Sequence, residues 1–152
     1  MPVFTNSVVI NAAPEVVFDF AADPRNEREW NEDLESLELI TEGDPGAGTS
    51  YFAKWKSAPE RVRVDTVEFD RPNRIVRHNG GTLEVTVTFA VEPADGGTRF
   101  TSVFDATPHG AFKVLFPLFA KKFQKDAAAR LLLVRDAIER RAAGERADRS
   151  VA

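Results

Sequence analysis

The chain has no cysteine, one methionine, one tyrosine and two histidines in 152 residues. Without thiols it forms no disulfide, no thiol nucleophile and no cysteine-ligated zinc site, and two imidazoles alone do not make a histidine-rich metal cage. No apolar run approaches the roughly 20 residues that a membrane-spanning helix needs. The opening stretch MPVFTNSVVINAAPE lacks the basic-then-apolar layout of a secretory signal, which makes the expected location cytoplasmic. A formal net charge of −4 lacks the basic footprint of a nucleic-acid partner. No motif calls for a metal, nucleotide or flavin, so no cofactor is expected.

Phenylalanine breaks this sparseness, with 12 residues, four of them (Phe112, Phe116, Phe119 and Phe123) inside HGAFKVLFPLFAKKFQKD. Hydrophobic residues at 43% and charged residues at 29% are ordinary for a globular domain. The expected organisation is one domain over residues 1–143 and a polar, fraying tail over 144–152, with Gly144 as the helix stop.

The β-branched run VFTNSVVINA predicts a strand over Val3 to Asn11. Pro14 suits the first turn of a short helix, and Asp23 with Pro24 suits the cap and first position of a second. The period then changes to two. Strands are expected at Leu34 to Thr41, Gly48 to Lys56, Arg61 to Asp70, Arg74 to Asn79, Gly81 to Glu92 and Thr98 to Thr107, joined by short turns rich in Gly, Pro, Asn and Asp. In TLEVTVTFAVE the apolar Leu83, Val85, Val87, Phe89 and Val91 alternate with polar residues, which predicts one buried face. Val62 and Val64 are even-numbered and Val67 and Phe69 odd, a slip that predicts a β-bulge near Asp65 and Thr66. From Gly110 to Arg141 the period is helical. Phe112, Phe116, Phe119, Phe123, Ala127, Leu131, Val134 and Ile138 trace one stripe suited to covering the sheet, with Pro117 expected to kink or restart the helix.

This order is that of an α+β helix-grip fold, a curved antiparallel sheet of about seven strands wrapped around a long C-terminal helix, with two short helices after the first strand. The phrases INAAPEVVFDFAADPRNEREW, FDRPNRIV and PADGGTRFT, with the closing amphipathic helix, resemble the START-like (SRPBCC) superfamily, and within it the polyketide cyclase/dehydrase group. The resemblance spans nearly the whole chain and speaks to fold more than to chemistry. It implies a cavity between sheet and helix, entered near the helix's N-terminal end. Phe112, Phe116 and Phe119 would form its helix side, with Phe123 and the residues beyond sealing the core. A solid core would use the same phenylalanines.

Strand alternation supplies the other candidates. Tyr51 and Trp55 fall on one face of their strand, an aromatic wall with hydrogen-bonding tips. Trp30, at the end of the second helix, is expected at the fold's edge. Val85 and Val87 belong to the buried face, and Ser102 faces inward with Phe104. His78 and His109 are placed near the cavity mouth, where either would suit acid–base work near neutral pH. Arg77 and His78 point to opposite faces, and the short strand does not say which looks inward.

The function expected from these residues is binding of an apolar or amphipathic small molecule. A cyclase or dehydratase acting on a polyketide-like substrate is the enzymatic alternative, and a protein-interaction module the third. Two or more titratable side chains converging in the cavity would favour an enzyme, a wholly apolar lining a carrier, and a filled cavity with a large exposed apolar patch a docking module.

Overall fold

The computed structural model describes residues 3–58 and 60–151, with side chains placed to residue 145. Strand β1 (Val3–Ile10) leads into helix α1 (Pro14–Ala22) and a 3-10 helix at Pro24–Glu29. Six strands follow: β2 (Leu34–Leu39), β3 (Ser50–Trp55), β4 (Val62–Asp70), β5 (Arg74–Asn79), β6 (Leu83–Ala94) and β7 (Gly97–Pro108). The last element is helix α2 (Phe112–Val151). The sheet has seven strands in the order β1-β7-β6-β5-β4-β3-β2, every pair antiparallel. This is the expected helix-grip α+β architecture.

Local chemistry explains where the elements begin and bend. Pro14 opens α1, where its missing N–H costs nothing. Asp23 caps the next segment, its side chain accepting from the Arg25 N–H. That segment was expected as a second short α-helix and is a 3-10 helix. Six residues between Pro24 and Glu29 are too few to repay α-helix nucleation. β6 and β7 are joined by Asp95 and Gly96, with Gly96 at φ 85°, a backbone angle that a side chain resists.

The bulge in β4 lies one residue later than the alternation suggests. Thr66 pairs with Arg77 and Glu68 with Val76, leaving Val67 as the extra residue. Val64 and Thr66 are therefore both buried, and Val67, expected inward, is 60% exposed. After the bulge Phe69 returns to the core side, edge-on to Phe18 with ring centroids 5.2 Å apart.

Helix α2 lies against β1 and β7. One core cluster joins Ile10, Phe18 and Phe100 to Leu131, Val134 and Ile138 of the helix, all buried. A second, smaller cluster of Leu37, Tyr51, Ala53 and Val64 sits under β2 to β4. Pro117 lies inside α2, which runs as one helix rather than two segments. The helix also runs through Gly144, the expected stop. Of the tail expected beyond it, the side chains of 146–152 lie outside the described residues.

Candidate functional site

Between the two core clusters is a cavity of about 450 Å³, lined by the concave face of the sheet, the 3-10 helix and the N-terminal half of α2. Its walls are mostly aromatic and aliphatic. Phe89, Phe100 and Phe104 come from β6 and β7, and Phe112, Phe116, Phe119 and Phe123 from α2. The helix phenylalanines pack edge-on in series. Phe112 and Phe116 are 5.7 Å apart, Phe116 and Phe123 5.9 Å, and Phe123 meets Phe104 at 5.8 Å. Such T-shaped pairs use the ring quadrupoles and hold the wall in one arrangement.

The exposed lining residues mark the mouth. Ser57 and Glu60 lie on the β3–β4 connection, and Phe119 and Lys122 on α2. Phe119 is 49% exposed, and Val114 and Leu118 nearby are more open still. The rim is tied across by Asp33, which accepts from the Ser57 hydroxyl at 2.5 Å and lies 3.7 Å from Arg130 of α2.

Of the residues selected by sequence, Tyr51, Trp55, Val85, Val87, Ser102, Phe104, Phe112, Phe116 and Phe119 all line this cavity, and His78 does not. In β5 the cross-strand partner of Arg77 is Val87, whose side chain faces inward, so Arg77 faces the cavity and His78 the outer surface. There the Glu84 carboxylate accepts from Nε2 of His78 and from Nε2 of His109, each at 2.9 Å. These two hydrogen bonds hold the Glu84 carboxyl below its usual range. Neither imidazole lines the cavity, which corrects their placement at its mouth. Two further expectations change. Phe123 lines the cavity rather than sealing it, and Trp30, expected at the edge, also contributes to the lining.

A polar group that the sequence did not single out sits within this apolar wall. Glu27, from the 3-10 helix, accepts on Oε2 from the Trp55 indole N–H at 2.6 Å and from Asn31 Nδ2 at 2.8 Å. Arg77 reaches past the sheet to the end of α1, where Nη2 donates to the carbonyls of Ala21 at 3.0 Å and Ala22 at 2.9 Å. Its guanidinium carbon is 5.9 Å from the centre of the Tyr51 ring and 6.0 Å from that of Phe89. Tyr51 is only 3% exposed. Burial raises its pKa, the Arg77 charge opposes that rise and Glu27 adds to it, so the phenol is a donor at neutral pH. No group of three or more His, Cys, Asp or Glu among the described residues has the arrangement of a metal site. No helix among them is long and apolar enough to cross a membrane.

A family model described as polyketide cyclase / dehydrase and lipid transport matches residues 1–139. Among solved structures, the chain is similar to TTHA0849 from Thermus thermophilus, with 22% identity, a TM-score of 0.75 and coverage of 90% of this chain and 97% of that one. It is similar to BH1534 from Bacillus halodurans at 17% identity and a TM-score of 0.69, covering 91% and 98% of the two chains. A third similar fold is the Aha1 dimer from Colwellia psychrerythraea, at 14% identity and a TM-score of 0.67, with coverage of 91% and 97%. Identities this low establish the fold alone. No curated protein matches the sequence.

Proposed function

The chain belongs to the polyketide cyclase / dehydrase and lipid transport family, and on that footing we propose that it binds an apolar or amphipathic small molecule, lipid-like or polyketide-like, between its sheet and α2. The observation that carries this reading is the cavity itself. Its volume of about 450 Å³ falls in the range of roughly 300–1,000 Å³ typical of small-molecule sites. An aromatic wall with a few inward polar groups is the usual composition of such a site, because apolar burial supplies affinity and hydrogen bonds supply orientation. The open cavity supports ligand binding over a docking role, for which a filled interior is expected.

The convergence of Glu27, Tyr51 and Arg77 on the cavity favours a second reading, a cyclase or dehydratase. A carboxylate, a protonated phenol and a guanidinium are the groups needed to take a proton from carbon beside a carbonyl and to hold the charge that develops on oxygen. The imidazoles take no part in either reading.

Native mass spectrometry of freshly purified protein, before and after incubation with a panel of neutral apolar compounds, tests the binding proposal. Adducts of one ligand per chain are expected, and Phe116→Asp, where a melting curve shows it folded, is expected to weaken them. Failure of every compound to form an adduct with the wild type would overturn the proposal.

A further inference from the structure

Arg77 is a cation in a mostly apolar wall that also carries Glu27, and no carboxylate stands within ion-pair distance of it among the described residues. Its Nη2 is spent on two backbone carbonyls of α1. Its Nε is buried and has no hydrogen-bond partner among the described residues. The guanidinium lies over the ring of buried Tyr51, whose phenol also makes no hydrogen bond among the described residues. Taking a guanidinium out of water is costly unless a counter-charge or strong acceptors replace the water. Ring faces at about 6 Å and two carbonyls offset part of that cost and leave the charge itself unmatched.

From this arrangement we infer that the cavity takes its ligand as an apolar acid, a monocarboxylate whose anionic head is held by the Arg77 guanidinium and the Tyr51 hydroxyl while its hydrocarbon body lies against Phe89, Phe104 and Phe116. The inference rests on the ligand-binding reading above and specifies the head group for it. A neutral carbonyl would use the same two donors but leave the guanidinium charge unmatched, and a charge-assisted hydrogen bond is about twice as strong as a neutral one. Glu27 is the competing charge. Its Oε2 takes two donors, from Trp55 and Asn31, which satisfy part of its charge, and an ammonium head on its other oxygen is the competing occupant.

Calorimetric titration with decanoate, decan-1-ol and decylamine, which share a tail and differ in head, tests this on the wild-type protein. Decanoate is expected to bind about tenfold more tightly than decanol, and decylamine most weakly. Arg77→Gln is expected to erase the advantage of decanoate over decanol. Glu27→Gln, which keeps an acceptor for the Trp55 indole and removes the repelling charge, is expected to tighten decanoate binding. Decanoate and decanol binding equally, or decylamine binding best, would overturn the acid-head inference and leave the cavity reading intact. Failure of all three to bind would overturn both. The wild-type comparison and Glu27→Gln decide the matter even if Arg77→Gln, having lost its hold on α1, fails to fold.

Discussion

Arg77 and His78 are adjacent residues with opposite fates, and which was which was not legible in the sequence. Alternation fails in β5 because Ile75 and Val76 are both buried, so the apolar pattern names no inward parity. The pairing of Arg77 with Val87 of β6 decides it, and that register is a property of the sheet. Glu27 was hidden differently. In DPRNEREW it is one charge among several and reads as a solvated turn; only its contact with Trp55, 28 positions away, brings it inside. The aromatic candidates were readable because period-two and helical stripes map directly onto faces. At this scale Phe116→Asp is expected to weaken apolar-ligand binding by about 2 kcal/mol or more, since its carboxylate would be desolvated in the wall. A melting curve must first establish that the variant folds. His78→Gln, on the outer face, is expected to leave the affinity unchanged, and a loss measured by the same titration would place the imidazole in the site after all.

Elements answer to their junctions. Gly97 opens β7 at φ 140°, and a Cβ there would stand 2.1 Å from the Ile10 carbonyl oxygen. Gly97→Ala is therefore expected to cost about 2 kcal/mol or more in denaturant unfolding; an unchanged midpoint would show that β1 and β7 can part without penalty. The β3–β4 pair carries a pH-dependent tie. Asp65 accepts from the Ser50 hydroxyl at 2.6 Å and from Arg63 Nε at 3.0 Å, and these bonds, the Ser50 one foremost, lower its pKa from 3.8. A carboxyl with a depressed folded pKa gives its full stabilisation above the unfolded value and loses it as pH falls through the folded one. Asp65→Asn is thus expected to melt lower than wild type at pH 7, with the gap closing as pH falls below 3.8 and through the folded value. A gap that persists in acid would assign the effect to shape rather than charge. The bulge at Val67 and the 3-10 form of residues 24–29 were legible only approximately, because a one-residue shift or a change from i+4 to i+3 bonding barely alters an apolar pattern.

At the scale of the whole molecule, α2 is the second layer. Its buried residues Leu131, Val134 and Ile138 close one core cluster, and its phenylalanines form one wall of the cavity. Layer order and the identity of the covering helix were readable from the switch in period after Thr107. That the layers stay apart in the middle was not, because a stripe of phenylalanines is equally suited to a solid core. The central claim is that this gap holds an apolar ligand. The most direct measurement uses Trp30→Phe, in which Trp55 is the sole indole, titrated with N-phenyl-1-naphthylamine while Trp55 emission is followed. Saturable loss of emission at one probe per chain, reversed by decan-1-ol and weakened in a folded Phe116→Asp background, is the predicted result. Trp55 emission that does not respond to the probe or to decanol at any concentration would contradict the account and make the aromatic segment packed core.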